Sequence, residues 1–154
     1  MNPIRRYYVV PIVIAIVSII TVFGSGSSDT TSENIEPAFM DYDDQITRVI
    51  DGDTLLIDQT KIRLSLVNSP ERGEMGYEEA RDFASTVCPV GANAEYVEDS
   101  WQPVDKYGRS VGLVYCNDML LNELLLTNGH AEISTYFCDK SEFGSEDWAR
   151  AYGC

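Results

Sequence analysis

The chain has 154 residues, of which 44% are hydrophobic, and it carries a formal net charge of −14 at pH 7. This length suffices for one globular domain with some chain to spare. The charge excludes a strong general affinity for nucleic acid, because such affinity comes from Lys and Arg side chains that neutralise phosphates. Any interaction with nucleic acid must therefore depend on local positive charge.

The N-terminus has the pattern of a membrane segment. Arg5 and Arg6 lie in the basic stretch 1–6, and residues 7–23 then contain no charged residue. A helix over that stretch would be roughly 25 Å long, close to the thickness of a bilayer core. The basic flank predicts a cytoplasmic N-terminus and an exported remainder. We interpret residues 7–23 as a single-pass cell-membrane anchor. A cleaved signal peptide, which would make the protein secreted, is the alternative, because small residues follow the apolar run.

Residues 24–45 are rich in Ser, Thr, Gly and acidic residues. Such a composition cannot bury enough apolar surface to offset the entropy of ordering the backbone. We therefore predict a flexible acidic linker over 24–45 and a single folded domain over 46–154.

The first half of that domain reads as a three-stranded meander. Strands are predicted at residues 46–50, 54–58 and 61–67. Asp51 and Gly52 form the first turn signal between them. In the third strand Ile62 and Leu64 lie on one face, and Arg63 lies on the other.

The second half alternates helices and strands. We predict a helix over 76–87, strands over 94–97 and 111–115, a helix over 118–128 and a short last helix ending at Gly153. Asp118 and Ser145 are the expected N-caps, and Gly129 is the expected C′ residue of the second helix. The order predicts an α+β fold, mainly β with about three helices: a five-stranded Greek-key barrel of the OB type, preceded by the N-terminal membrane or signal helix.

Four cysteines follow the membrane segment, and an even number beyond such a segment predicts disulfides. Three pairings are possible. We favour Cys88–Cys116 with Cys138–Cys154, because the second bond closes a loop around the last helix. A metal site is the alternative, but the chain has no Cys-x-x-Cys pair to support it.

Three charged residues have both a plain and a functional interpretation. Asp53 follows the turn and enters a strand, where Asp is disfavoured, and a hard cation such as Ca²⁺ would account for its carboxylate. Arg63 is either a surface residue or a planar fork for phosphate. Glu71, after Pro70, is either a solvated loop charge or a general base for water. We expect His130 to have a capping or surface role.

Aromatic residues of the second half have a simpler interpretation. We expect Trp101, Trp148, Tyr136 and Phe137 to pack in the core or on the surface rather than to stack on bases.

Four segments carry a resemblance when they are taken together and in order. They are Val49-Ile-Asp-Gly-Asp-Thr54, Ile62-Arg-Leu-Ser-Leu-Val-Asn-Ser-Pro-Glu71, Asp105-Lys-Tyr-Gly-Arg109 and Leu121-Asn-Glu-Leu-Leu-Leu-Thr-Asn-Gly-His-Ala131. The set resembles the staphylococcal nuclease (thermonuclease) family, whose core is an OB barrel. The resemblance implies calcium-dependent hydrolysis of phosphodiester bonds in DNA and RNA that leaves a 3′-phosphate.

The resemblance also implies roles for individual residues. Glu71 matches the proposed general base of the family, and Arg63 and Arg109 match its two phosphate-binding arginines. Lys106 and Tyr107 fall where the family lines its nucleotide groove. Two Arg forks and a divalent cation would neutralise the charge on the phosphate oxygens, which is what phosphoryl transfer requires.

The implied calcium ligands are Asp53, Asn68 and the backbone carbonyl of Ser69. Asn68 departs from the family, which has an Asp at this place, so we expect weaker calcium binding. The resulting hypothesis is an exported, membrane-anchored nuclease that acts on DNA or RNA, with no obligate protein partner evident. The alternative is a weak or inactive OB-fold nucleic-acid-binding module on the cell surface, which Asn68 and the acidic balance favour. A disulfide-stabilised surface domain with a structural role is a third possibility.

Overall fold

A computed structural model describes residues 44–154. Its elements are, in chain order, β1 (Ile46–Val49), β2 (Thr54–Ile57), β3 (Thr60–Leu64), β4 (Val67–Asn68), α1 (Tyr77–Val87), β5 (Ala94–Glu98), β6 (Ser110–Cys116), β7 (Met119–Leu120), α2 (Leu121–Thr127), β8 (Glu132–Ile133) and α3 (Asp147–Ala151). Two 3-10 turns lie at Thr135–Phe137 and Glu142–Ser145. The predicted stretches 1–6 and 7–23 and nearly all of 24–45 lie outside the described residues. Between residues 44 and 154 no helix is long and apolar enough to cross a membrane.

The main sheet has the strand order β1-β2-β3-β6-β5, and β7 extends it by pairing with β6. The hairpins β1–β2 and β2–β3 are antiparallel, whereas β3 and β6 run parallel. The parallel pair is possible because α1 and β5 lie between these strands in the sequence and provide the crossover. A separate two-stranded ladder joins β4 to β8.

The predicted α+β class with three helices is confirmed, but a closed barrel is not found among residues 44–154. β1 and β5 are the two edges of the sheet, and they approach each other at one end only. There Gln45 forms an isolated bridge with Asn93, and the Ile46 N–H donates to the Ala92 carbonyl at 2.9 Å. Because β1 is only four residues long and contains a register shift, the contact does not continue as a ladder.

The third predicted strand is divided in two, which sequence alternation did not indicate. β3 ends at Leu64, and Leu66 adopts a left-handed backbone with φ 64° before β4 begins. Leu66 is 3% exposed, and its carbonyl accepts a hydrogen bond from the Ser134 N–H at 2.7 Å, so burial and this bond hold the unusual conformation. The bend sends Asn68 and Ser69 in a different direction from β3.

The core forms where the apolar faces of the sheet and of α1 and α2 meet. Leu55, Ile62 and Leu64 from the strands and Leu121 and Leu125 from α2 are almost completely buried. These positions follow the period of two in the strands and of about 3.6 in the helix.

One polar side chain crosses this core. Asn122, fully buried, donates to the Ser65 carbonyl at 2.9 Å and accepts from the Val114 N–H at 3.2 Å. It therefore fixes α2 to the end of β3 and to β6.

Two of the predicted helix caps are wrong, and one is confirmed. Asp118 has φ 62° in the turn between β6 and β7, so it cannot cap α2, which begins at Leu121. Ser145 ends a 3-10 turn, and α3 starts after Glu146 and ends before Gly153. Gly129 has φ 71° at the end of α2, as predicted for a C′ glycine.

Both predicted disulfides are confirmed. Cys88 is bonded to Cys116 and Cys138 to Cys154, with Cα–Cα distances of 5.5 and 5.3 Å. The first bond ties the end of α1 to the end of β6, and the second closes the C-terminal segment around α3. No cysteine in the described part of the chain is left to bind a metal.

Candidate active site

Asp53 is the centre of the site, at the turn from β1 into β2. Its side chain is almost fully buried, yet each carboxylate oxygen has a partner. Oδ2 accepts from the Ser69 N–H at 2.7 Å and lies 3.2 Å from Nη2 of Arg63, and Oδ1 accepts from the Thr54 hydroxyl at 3.1 Å. The carboxylate thus joins the start of β2 to the loop that follows β4.

Gly52 makes this approach possible. A Cβ atom at this position would lie 2.7 Å from Cβ of Ser69 and 2.8 Å from Cβ of Ala80 on α1. Both distances are far below an ordinary contact between carbon atoms. The Asp-Gly pair is therefore more than a turn signal, because its glycine lets the Ser69 loop reach Asp53.

Arg63 fixes the same loop from the other side. Nη1 donates to the carbonyls of Leu64 at 2.9 Å and Val67 at 2.5 Å, and Nη2 donates to Oδ1 of Asn68 at 3.4 Å. These contacts hold the guanidinium firmly, and the side chain is 17% exposed. The bend after β3 brings these acceptors within its reach.

Arg109 is oriented by a tight turn that Asp105 organises. Oδ1 of Asp105 accepts from the N–H groups of Tyr107 at 2.8 Å and Arg109 at 3.0 Å, and Oδ2 accepts from Nε of Arg109 at 2.6 Å. Burial opposes ionisation of Asp105, but these hydrogen bonds and the positive charge outweigh it, so the pKa of Asp105 is lowered. Nη1 of Arg109 then donates to the Thr54 hydroxyl at 3.0 Å.

Thr54 is a site residue that sequence reasoning missed. Its hydroxyl donates to Asp53 and accepts from Arg109, so it links the buried carboxylate to the second arginine. The signal was present, because Thr54 ends the first of the four motif segments.

A groove of about 580 Å³ runs past these side chains. It is bordered by every residue for which we predicted a catalytic or substrate-binding role: Arg63, Glu71, Lys106, Tyr107 and Arg109. Glu71 and Lys106 are exposed, as is Tyr107, which is 72% accessible. Asn68 also borders the groove, whereas Ser69 is buried behind it.

The aromatic pair packs as expected, with Phe137 against the core and Tyr136 on the surface, and it also forms part of the groove. Tyr136 and Phe137 border it, and Tyr136 is 72% exposed. Nζ of Lys140 lies 3.1 Å from the centroid of the Tyr136 ring, and hydrogen bonding to Lys140 lowers the pKa of Tyr136. Trp148, by contrast, is buried as expected. His130 stacks on Phe83 at 4.4 Å between ring centroids, consistent with a role at the end of α2.

The side chains around Asp53 include oxygen donors of the kind that a hard cation takes. Asp51 adds a second carboxylate, and burial together with the neighbouring charge of Asp53 raises its pKa. A cation would relieve this repulsion between like charges. With Asn68 and the Ser69 carbonyl the candidate donors are all oxygen atoms, which suits Ca²⁺ or Mg²⁺. Nowhere in residues 44–154 do three or more His, Cys, Asp or Glu side chains come close enough to hold a metal, so the charge on the candidate ligands is low.

Comparison with known proteins agrees with this geometry. The model of a family described as "Staphylococcal nuclease homologue" matches residues 61–151, more than half of the chain. The match begins in β3 and contains Arg63, Asn68, Glu71 and Arg109, while Asp53 lies just before it.

Relatives of known name are similar over part of their length. The chain is 31% identical over 83 residues to a "Micrococcal nuclease" of Shigella flexneri, which covers 51% of this chain and 45% of that protein. It is 30% identical over 98 residues to a "Probable staphylococcal-like nuclease" of Oryza sativa subsp. japonica, covering 64% of this chain and 24% of that protein. An uncharacterised protein of Bacillus anthracis is 30% identical over 104 residues, with 60% and 48% covered. The chain thus spans from about a quarter to a half of the length of these relatives.

Proposed function

The chain belongs to the staphylococcal nuclease homologue family, and we propose that it is a calcium-dependent nuclease that hydrolyses phosphodiester bonds in DNA or RNA. One observation carries the proposal. Arg63 and Arg109 are both fixed to the Asp53–Thr54 pair, and both border the groove that Glu71 also borders. A buried carboxylate, two oriented guanidinium groups and an accessible carboxylate are the groups that phosphodiester hydrolysis needs.

The distribution of charge supports a nucleic-acid substrate despite the acidic composition. Residues 47–154 contain 19 Asp and Glu against nine Lys and Arg, a net charge of −10. Yet Arg63, Lys106 and Arg109 all border the groove, and Lys140 lies over its Tyr136 wall. Two acidic residues, Glu71 and Asp105, border it against these three cations, so the groove carries a small local excess of positive charge. We therefore expect binding that is weak and strongly salt-dependent.

The two arginines would hold the scissile phosphate. Nε and Nη1 of Arg109 are engaged by Asp105 and Thr54, which fixes the plane of the guanidinium and leaves its Nη2 edge to meet a phosphate oxygen. Arg63 is fixed by two backbone carbonyls at Nη1 and by Asp53 and Asn68 at Nη2. Because both groups are oriented before substrate arrives, they stabilise the transition state without reorganisation.

Glu71 would act as the general base. It follows Pro70 in an exposed turn, and its own N–H donates to Oε2 of Glu74 at 2.7 Å. A water molecule held by the Glu71 carboxylate attacks phosphorus, and its proton passes to a carboxylate oxygen of Glu71. The bond from phosphorus to the 5′ oxygen breaks, which leaves a 3′-phosphate and a 5′-hydroxyl that takes its proton from solvent.

The donor set around Asp53 would hold the calcium ion. Asp53, Oδ1 of Asn68 and the carbonyl of Ser69 are the proposed ligands, with Asp51 as the neighbouring carboxylate. A bound ion would add positive charge to that of the two arginines. The Ser69 N–H donates to Oδ2 of Asp53 at 2.7 Å, which holds the backbone of Ser69 next to this carboxylate.

The proposed role of Arg109 is tested by substitution. Initial rates of cleavage of a fluorescent single-stranded DNA are measured in calcium for the full-length protein with its disulfides formed. Arg109→Gln is expected to lower the rate by about 10²–10³-fold. Arg150→Gln removes the same charge from an exposed position on α3 and should leave the rate unchanged. Equal rates for both variants and the wild type would remove Arg109 from the mechanism.

A second candidate function rests on Asn68. A neutral residue at this ligand position favours a module that binds nucleic acid without cutting it. Such a module would bind single-stranded DNA in the same groove, and its affinity would fall on Arg109→Gln, but no product would form in millimolar calcium.

The location of the protein is proposed from the N-terminal sequence. A single-pass anchor over 7–23 would hold residues 46–154 outside the cytoplasm, and both disulfides suit an oxidising compartment. Protease added to intact cells should then degrade the domain and spare an N-terminal fragment. Protection of the domain in intact cells and its degradation only after lysis would contradict this location.

A further inference from the structure

A second pocket, of about 370 Å³, lies beside the groove. It is lined by Ile50, Asp51, Thr54, Lys61, Tyr107, Gly108 and Arg109. Tyr107 and Arg109 also border the groove, so these two side chains separate the two spaces and face both of them. A ligand held at Arg109 in the groove can therefore continue into the pocket.

Lys61 is the residue that distinguishes this pocket. It lies in β3, two residues before Arg63, and is exposed. In the pairing of β3 with β2, Lys61 lies opposite Leu56 and Arg63 lies opposite Thr54. Ile62, between Lys61 and Arg63, is 1% exposed and belongs to the core. Lys61 and Arg63 therefore project from the same outer face of the strand.

The distance between Lys61 and Arg63 along the strand matches the spacing of phosphates in a nucleic acid. Two residues of a strand span about 6.6 Å, which is close to the separation of successive phosphates in an extended polynucleotide strand. Arg63 borders the groove, Lys61 lines the pocket, and Arg109 borders both spaces. One strand of nucleic acid can follow this line with the scissile phosphate at the two arginines and the next phosphate at Lys61.

We propose that the pocket is a phosphate subsite, in which Lys61 binds the phosphate next to the scissile one. The proposal rests on the function proposed above and deepens it, because it makes the substrate a polymer with at least two successive phosphates in contact with the protein.

The charges around the pocket support an anionic ligand. Two of the lining side chains are cationic, Lys61 and Arg109, and one is anionic, Asp51. Arg109 is paired with Asp105, whereas Lys61 forms no ion pair with any residue from 44 to 154. Its ammonium group is thus free to neutralise a phosphate. The exposed ring of Tyr107, with Nζ of Lys106 at 4.8 Å from its centroid, gives the adjoining base a flat surface at the boundary of the two spaces.

The test compares Lys61→Gln with the wild type on substrates of two lengths. The short substrate is a thymidine dinucleotide with one phosphodiester, and the long one is a thymidine tetranucleotide with three. Lys61→Gln is expected to raise KM for the tetranucleotide by about three- to ten-fold, to leave kcat unchanged, and to have no effect on the dinucleotide. The slope of log affinity against log salt for the tetranucleotide should become shallower by about 0.7, the value for one phosphate contact in a single strand. Arg150→Gln is the matched control and should behave as the wild type.

A binding measurement tests the phosphate subsite independently of the proposed nuclease activity. Affinity for the fluorescent tetranucleotide is measured in EDTA by anisotropy, which requires no cleavage, and inorganic phosphate is added as competitor to distinguish a polymer subsite from a site for free phosphate. If the wild type does not cleave but Lys61→Gln still weakens tetranucleotide binding selectively, the nuclease assignment falls and the subsite stands. The subsite would be overturned if Lys61→Gln affected both substrate lengths equally or affected neither. It would also be overturned if a low concentration of inorganic phosphate completely displaced the binding that depends on Lys61.

Discussion

Substitution of Gly52 by Ala tests how closely the site depends on packing beneath it. The added Cβ would lie 2.7 Å from Cβ of Ser69, 2.9 Å from its hydroxyl and 2.8 Å from Cβ of Ala80. Carbon atoms in contact normally lie about 3.5–4.0 Å apart, so the neighbours must move by about 1 Å. Ala80 is on the buried face of α1 and cannot retreat easily, and therefore most of the movement falls on the Ser69 loop.

The displacement should affect both stability and the metal site. Overpacking of this size costs about 1–3 kcal/mol in the free energy of unfolding. Ser69 holds Asp53 through a 2.7 Å hydrogen bond, so a shift of its backbone separates two of the proposed calcium ligands. A misplacement of about 1 Å at a catalytic centre lowers the rate by roughly 10²-fold, and we expect that loss together with weaker calcium binding.

The assay pairs urea denaturation with calcium titration and cleavage rates. Gly91→Ala is the control, because Gly91 has φ 87° with no atom within 4 Å of the added Cβ, so its cost comes from the backbone alone. Gly91→Ala should lower the free energy of unfolding by about 1–2 kcal/mol, which is similar to the loss expected for Gly52→Ala. It should not change calcium binding. If Gly52→Ala bound calcium and cleaved DNA as well as Gly91→Ala did, the argument that Gly52 positions Ser69 would be wrong.

Three further predictions concern the ligands, the Asp105 turn and the disulfides. Asn68→Asp should tighten calcium binding by about one order of magnitude in calorimetry, because it adds a charged ligand. Asp105→Asn should lower the cleavage rate by about 10- to 100-fold, since Arg109 loses a charged hydrogen-bond partner. Because the pKa of Asp105 is lowered in the folded state, its carboxylate stabilises the fold fully above about pH 4, and this stabilisation is lost as the pH falls further. In acid denaturation, the difference in stability between the wild type and Asp105→Asn should therefore shrink below about pH 4. Replacing the two cysteines of one disulfide by Ser should lower the free energy of unfolding, measured by urea denaturation. The expected loss is about 3.5 kcal/mol for Cys88–Cys116 and about 3 kcal/mol for Cys138–Cys154.

Each of these expectations has a result that would contradict it. Unchanged calcium affinity in Asn68→Asp would mean that this side chain does not contact the ion. A cleavage rate for Asp105→Asn equal to that of the wild type would mean that the turn does not orient Arg109. Stability unaffected by loss of a disulfide would mean that the unfolded chain is not restrained by that bond.

The parts of the fold that sequence predicts well are those set by local patterns. Alternation in β3 correctly separated Arg63 from the buried Ile62 and Leu64, because side chains of a strand alternate between its two faces. The C′ role of Gly129 followed from the need for a left-handed residue where α2 ends. Of the candidate site, the groove residues with a predicted catalytic or substrate-binding role were all named from motif segments, since those segments carry unusual charges at turns and strand ends.

The parts that sequence did not predict depend on contacts between distant segments. Leu66 adopts a positive φ because the Ser134 N–H binds its carbonyl and the core encloses its side chain, and no residue near Leu66 signals this. Tyr136 borders the groove because β8 pairs with β4, which brings the segment after β8 beside the site. The contact of the two sheet edges through Gln45 and Asn93 is likewise a matter of tertiary geometry.

In the function that we propose, Glu71 and the two arginines form a nuclease site around a calcium ion. The most direct test is cleavage of labelled single-stranded DNA by the full-length protein in calcium, in EDTA and with Glu71→Gln, with Glu79→Gln on the exposed face of α1 as the matched control. We predict cleavage that requires calcium, falls by about 10²–10⁴-fold in Glu71→Gln and is unchanged in Glu79→Gln. Absence of cleavage in millimolar calcium by a protein whose circular dichroism shows it folded, or equal cleavage by both variants, would contradict the account.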